Sequence, residues 1–115
     1  MSKVLLAEDD NTMVSLLKTL LGMEGYQVTT LLDQEGDLLE IIRKEKPDIL
    51  LLDVFLGERN GVDILRQVRK APDLKSIKVV MASGVDKSNE CMAAGANAFL
   101  LKPYMPEELM EILRD

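Results

Sequence analysis

The chain has 115 residues, 47% of them hydrophobic and 30% charged, with a formal net charge of −6, one cysteine and no histidine. That length fits one domain with a core of its own, and an acidic chain without a basic block excludes the electrostatic mode of nucleic-acid binding. The missing histidine excludes Ser-His-Asp and Cys-His nucleophile systems in their usual form, and the lone Cys91 excludes an internal disulfide or an all-cysteine zinc site.

With two Phe, two Tyr and no Trp, the core must be aliphatic. The opening "MSKVLLAEDD" lacks the long apolar region of a signal peptide, and no apolar run approaches the length of a membrane span. A cytoplasmic protein without a membrane partner is expected, and a single thiol suits a reducing compartment.

In chain order, "KVLLA" (3–7) is apolar at consecutive positions, as in a strand covered on both faces. Residues 11–23 then place Met13, Leu16, Leu17, Leu20 and Leu21 on one helical face, with Asp10 or Asn11 as N-cap and Gly22 or Gly25 near the stop. "YQVTT" (26–30) is more polar and alternating, as suits an edge strand. A helix over 34–45 carries Leu38, Ile41 and Ile42 and ends where Pro47 disfavours helix at Lys46. "ILLLD" (49–53) is a second buried strand, followed by a helix over 62–70 that stops before Ala71-Pro72. "IKVVMAS" (77–83) and "AFLLK" (98–102) are further strands, separated by a short helix over 87–94 that ends at Gly95. The last helix, 106–114, opens with Pro106 in its first turn and Glu107-Glu108 at the positive end of its dipole. Five β-α units in alternation imply a parallel sheet with helices on both faces, hence a single doubly wound α/β domain over 1–115.

Ligands of such sheets bind beyond the carboxyl ends of the strands. Those ends deliver Glu8-Asp9-Asp10, Asp53, Ser83-Gly84 and Lys102-Pro103. Asp53 stands out, because "ILLLDVFLGERN" (49–60) sets a carboxylate in an apolar stretch where burial disfavours its charged form. Three carboxylates and one lysine leave a net negative cluster, which suits a hard divalent cation such as Mg²⁺ or Mn²⁺. In that setting Asp53 is placed to attack phosphorus, with Ser83, Lys102 and the cation around the equatorial oxygens. Taken singly the residues have plainer readings. Asp53 ends a strand at a turn, Ser83 is a cap, Lys102 is solvated, Phe99 is core, and Asp10 caps the first helix. Their convergence on one sheet edge is the argument.

Over essentially its whole length the chain resembles the receiver domain of bacterial two-component response regulators. The motifs that carry the resemblance are "LLAEDDNTM", "ILLLDVFLGERNG", "VVMAS" and "AGANAFLLKPY". It implies a flavodoxin-like fold with strand order 2-1-3-4-5 and a cis Lys102–Pro103 bond. It further implies that Asp53 accepts a phosphoryl group from the phosphohistidine of a separate sensor histidine kinase, so that the module itself turns over no external substrate. Asp9 would be a direct Mg²⁺ ligand with Asp53 and the backbone carbonyl of Phe55, and Glu8 would act through water. Ser83 and Phe99 would be switch residues, with Lys102 at the phosphoryl group. The face made by helix four, strand five and helix five would then be read by an output domain or protein, or form a phosphorylation-dependent dimer. Ser83 and Lys102 are separated by about one helical turn less than the family's usual spacing, so helix four is expected to be short. Gly57 replaces a frequent proline, so a looser loop is expected after Asp53. Phe55 and Val85 are apolar where the family's side chains influence attack by water, which predicts slow self-dephosphorylation.

Two other classes compete with this reading. An aspartate-dependent phosphatase of the haloacid dehalogenase type needs a D-x-D pattern on strand one, where Glu8 and Asp10 have the spacing, together with a cap domain. A flavodoxin-like cofactor binder needs phosphate donors in the first loop, which here is the acidic "AEDDNT". A receiver that is never phosphorylated is a further alternative, disfavoured by the intact set of site residues.

Overall fold

The structure is a computed structural model that describes residues 2–31 and 36–114. Five parallel strands form the main sheet: β1 (Lys3–Ala7), β2 (Gln27–Thr30), β3 (Ile49–Asp53), β6 (Lys78–Ser83) and β7 (Ala98–Leu101), in the order β2-β1-β3-β6-β7. Counted within that sheet, the order is 2-1-3-4-5, as expected for a flavodoxin-like fold. The three central strands are the continuous apolar runs of the sequence, and they are buried at nearly every position. The outer strands β2 and β7 alternate more and keep exposed positions, as edges do.

Successive strand residues point to opposite faces, so each run feeds two cores. Leu5, Leu50, Leu52, Val79 and Met81 meet α2 (Leu38–Glu45), α3 (Gly61–Lys70) and α4 (Ser88–Ala93) through Leu38, Ile42, Leu65, Val68 and Cys91. Val4, Leu6, Ile49, Leu51 and Val80 meet α1 (Asn11–Met23) and α5 (Pro106–Arg114) through Val14, Leu17, Leu21, Leu109 and Leu113. Burying each such aliphatic side chain contributes roughly 1.5–3 kcal/mol against chain entropy.

The end of the sheet remote from the strand C-termini is tightly tied. Asp48 accepts a hydrogen bond from the Lys3 N–H through its carboxylate at 2.8 Å, while its own N–H donates to the Lys3 carbonyl at 2.9 Å. Arg69, at the end of α3, donates to the carbonyls of Gly95, Lys75 and Ile77 and to Oδ1 of Asn97, all within 2.9 Å. That same Asn97 oxygen accepts from the Val79 N–H at 2.7 Å. One guanidinium thus joins α3, the entry to β6 and the loop between α4 and β7.

Several expectations need correction. The second helix begins at Leu38, not at 34: Gly36 has φ +116°, outside the helical region, and Asp37 is the extended N-cap. Residues 34 and 35 themselves lie outside the described residues. On α1 the buried stripe is Val14, Leu17 and Leu21, whereas Leu16 is exposed. Neighbouring positions on a helix lie about 100° apart, and here Leu17, not Leu16, takes the sheet-facing side. The fourth helix is short, as its spacing required. A two-stranded antiparallel ribbon, β4 (Phe55–Leu56) with β5 (Arg59–Asn60), was not foreseen. The Lys102–Pro103 bond is cis, as expected.

Gly61 sets how closely α3 approaches the end of β3. A Cβ there would sit on the Asp53 carbonyl oxygen, 2.9 Å from its carbonyl carbon and 3.0 Å from the Val54 Cα, all of them backbone. Gly61→Ala is therefore expected to cost about 2–3 kcal/mol in urea unfolding, since the backbone must move. Gly22→Ala, with nothing within 4 Å on α1, should be neutral or stabilise by up to about 1 kcal/mol.

Candidate functional site

Register places the site. Ala7 lies beside Leu52 and Asp53 beside Ala82, while Ser83 lies beside Leu101. The residues that follow β1 and β7, Glu8 and Lys102, therefore emerge at the same edge as Asp53 and Ser83. Hydrogen bonds from the Val54 N–H to the Ala82 carbonyl (2.9 Å) and from the Lys102 N–H to the Ser83 carbonyl (2.8 Å) hold the three chain ends together.

Lys102 bridges the two buried acids. Its Nζ donates to Glu8 Oε1 at 2.5 Å and to Asp53 Oδ2 at 2.9 Å. Glu8 is 3% exposed and Asp53 6% exposed, so neither charge is offset by bulk water. The second Glu8 oxygen accepts the N–H groups of Asp9 (2.9 Å) and Asp10 (3.2 Å), which leaves both of its oxygens engaged. Asp9 is exposed, and its Oδ2 accepts the Gly57 N–H at 2.8 Å. Asp10 stands apart as the α1 N-cap, accepting from the N–H groups of Thr12 and Met13, so its plain reading holds.

The protonation pattern follows from this packing. Burial is the largest influence on Asp53, and the neighbouring Glu8 adds to it, so that its pKa is pushed up to about 7 despite Lys102. On Glu8 burial acts upward too, but hydrogen bonds from Asp53 and Lys102 outweigh it and hold the carboxyl below its ordinary value. Burial pulls the Lys102 ammonium down, and its bonds to Glu8 and Asp53 more than reverse this, so its pKa rises. The same packing thus moves the two acids apart, Glu8 below its ordinary value and Asp53 up to about 7.

Glu8, Asp9 and Asp53 present carboxylate oxygens that all lie within 4.8 Å of one another. Three hard oxygen donors, one on the solvent side, fit a divalent cation of the Mg²⁺ or Mn²⁺ kind that retains waters. The excess of acid over Lys102 supplies the electrostatic reason to bind one.

The other expected residues are placed as follows. Ser83 is 3% exposed at the end of β6, and its Oγ accepts the Val85 N–H at 3.1 Å. Phe55 and Val85 are 55% and 58% exposed, on the segments that follow Asp53 and Ser83. Phe99 is half-buried on β7 and packs against the core beneath α2, α3 and α4. It is not among the groups that Lys102 joins.

The structure gives Gly57 a bond that sequence reasoning did not foresee and adds Tyr104, which it missed. Gly57, at φ +61°, turns the β4–β5 ribbon and donates its N–H to Asp9. Proline could neither adopt that φ nor donate, so both the turn and the bond to Asp9 depend on a residue other than proline here. The proline-for-glycine comparison pointed to the position but not to the bond. Tyr104 packs beside the site, and burial pushes its pKa up to about 12.

Residues 4–114 match the family model of the response regulator receiver domain. The transcriptional regulatory protein CpxR of Escherichia coli (strain K12) is 37% identical over 117 residues, an alignment that takes in 99% of this chain and 48% of CpxR. The chain thus spans about half the length of that relative. Among solved structures, the chemotaxis response regulator CheY4 of Vibrio cholerae superposes with a TM-score of 0.86 at 28% identity, covering 99% of this chain and 97% of that one. The receiver domain of the sensor histidine kinase PA1611 from Pseudomonas aeruginosa, with a magnesium ion coordinated in its active-site cleft, gives 0.79 at 25% identity over 98% and 94% of the two chains.

The raised Asp53 pKa has a consequence for stability. A group whose protonated form is favoured by folding contributes fully below the ordinary carboxylate value and loses that contribution as pH rises through about 7. Without metal, Asp53→Asn should therefore gain on the wild type between pH 5 and 8, by on the order of 2 kcal/mol in denaturant titrations. Saturating Mg²⁺ should shrink the gap, because a cation favours the ionised carboxylate.

Proposed function

The chain belongs to the response regulator receiver family, and on that premise we propose that it is a phosphorelay signalling module in which Asp53 is the phosphoacceptor. The observation that carries this is the bridge from Lys102 to Glu8 and Asp53 beside the exposed Asp9. This arrangement gathers a nucleophilic carboxylate, a fixed cation and an acidic cluster with one exposed member at one sheet edge.

In the proposed reaction an Asp53 carboxylate oxygen attacks the phosphorus of a phosphohistidine on a separate sensor kinase. The P–N bond breaks and its electron pair stays with the imidazole. Lys102, already within 2.9 Å of Asp53, places its charge beside the incoming phosphoryl oxygens. The Ser83 hydroxyl uses a lone pair on the Val85 N–H and keeps its proton for a phosphoryl oxygen. Asp9, Asp53 and the Phe55 carbonyl would hold Mg²⁺ or Mn²⁺, which supplies Lewis-acid charge to the transferring group. Glu8, with both oxygens engaged, acts through water and by orienting Lys102. The apolar walls of β3 exclude water from the acyl phosphate.

Phosphorylation would bias a pre-existing equilibrium of Ser83 and Phe99, and the face of α4, β7 and α5 would present the change. An output domain or protein, or a second phosphorylated copy, would read it. The chain would catalyse only its own phosphorylation and dephosphorylation, with no direct contact to nucleic acid. No helix among the described residues is long and apolar enough to cross a membrane, and a cytoplasmic site of action is proposed with the function.

Incubation with acetyl phosphate and Mg²⁺ should add one phosphoryl group by intact mass, and Asp53→Ala or removal of Mg²⁺ should abolish it. Absence of any adduct on a chain shown to bind Mg²⁺ would refute acceptance from small donors. The exposed apolar Phe55 and Val85 predict a long-lived adduct. Phe55→Asn or Val85→Glu should shorten its half-life several-fold, and an unchanged half-life in both would count against a role for these side chains.

A further inference from the structure

A cleft of about 410 Å³ opens over the acidic end of β1, with Glu8, Asp9 and Glu58 among its lining residues and Arg59 as the one cation there. Arg59 differs from the other described arginines. Arg43, Arg66 and Arg114 are each in an ion pair, and Arg69 donates to three carbonyls and to Asn97. The exposed Arg59 guanidinium has no hydrogen bond or ion pair among the described residues. Its backbone position is nonetheless fixed. Arg59 pairs with Leu56 in the ribbon, Gly57 between them donates to Asp9, and Asn60 caps α3 through the Val62 N–H at 2.9 Å. A free cation is thus mounted on a tied ribbon at the wall of a carboxylate-lined cleft.

Asp53 does not itself line the cleft, but its carboxylate lies within 4.8 Å of those of Glu8 and Asp9, which do, so a small anionic phosphodonor reaching Asp53 meets the field of these acids and of Arg59. We propose that Arg59 is a specificity-determining residue that draws dianionic acyl phosphates into the cleft, which rests on the phosphoacceptor reading of Asp53. In the step it serves, an Asp53 oxygen bonds to phosphorus as the bond from phosphorus to the acyl oxygen breaks. The electron pair leaves with the carboxylate, and no proton is gained or lost. Arg59 acts on capture and not on this step, so its effect falls on half-saturation and fades with ionic strength. It also repels a cation, so its removal leaves Mg²⁺ binding intact or tighter. These opposite signs separate an electrostatic role from damage to the site.

The test is the phosphorylation rate of the whole chain, followed by intact mass, for wild type, Arg59→Lys, Arg59→Ala and Arg59→Glu. At low ionic strength with acetyl phosphate, Arg59→Ala should lose about three- to ten-fold in second-order rate and Arg59→Glu more, while Arg59→Lys keeps most of it. The loss should largely vanish at about 0.5 M salt, and be smaller with phosphoramidate, which carries less net negative charge. An Arg59→Ala rate equal to wild type at low salt would overturn the proposal. So would a loss that persists at high salt together with weaker Mg²⁺ binding. If the wild type itself takes no phosphoryl group, it is the phosphoacceptor reading that fails; a phosphorylated wild type with an indifferent Arg59 sinks only this inference.

Discussion

The ammonium of Lys102 is the pivot of this molecule. Two carboxylates at the ends of buried strands cannot both be charged in so small a space without a cation between them. Lys102 reaches both, and it can do so only because β7 ends level with β6, and β6 with β3. Sheet register and site electrostatics are therefore one constraint seen at two scales. A slip of one residue on β7 would turn its core side chains to the wrong face and carry Lys102 out of reach together.

Because one lysine cannot neutralise three acids, the arrangement is left short of positive charge. That deficit is what makes the edge a site rather than a closed salt bridge. Together with burial it raises the Asp53 pKa, and it accounts for the fit to a divalent cation and for the value of any further cation at the cleft. The receiver family to which the chain belongs gives this chemistry a context, and the physics of the deficit stands without it.

The parts of this architecture legible in the sequence were those written in long patterns. Three buried strands appear as unbroken apolar runs, and their last residues name the site, because in a parallel sheet all strands end on the same side. What escaped was written in short patterns or in none. The ribbon Phe55–Asn60 has two residues per strand, too few for a period to register. The Leu16 position was misjudged because α1 has apolar residues around more than one face, and sequence alone does not say which stripe meets the sheet. The start of α2 depended on a backbone angle at Gly36. Gly57 was noticed as an odd residue, yet the bond it makes to Asp9 joins positions 48 apart in the chain and leaves no local trace.

Arg69 fixes the mechanics of the far side of the molecule. It clamps Gly95 and Asn97, just beyond the C-terminal end of α4, to the end of α3. The other end of α4 is tied only locally among the described residues, by Asp86 Oδ1 accepting the N–H and hydroxyl of Ser88, and the segment before it leads directly back to Ser83. The helix thus has its long-range polar ties at the Gly95 end and its apolar anchor at the buried Cys91, while its other end continues into the loop from Ser83. The loop 84–87 is therefore the stretch between Ser83 and the core with the fewest long-range ties, and the turn into β7 the one with the most.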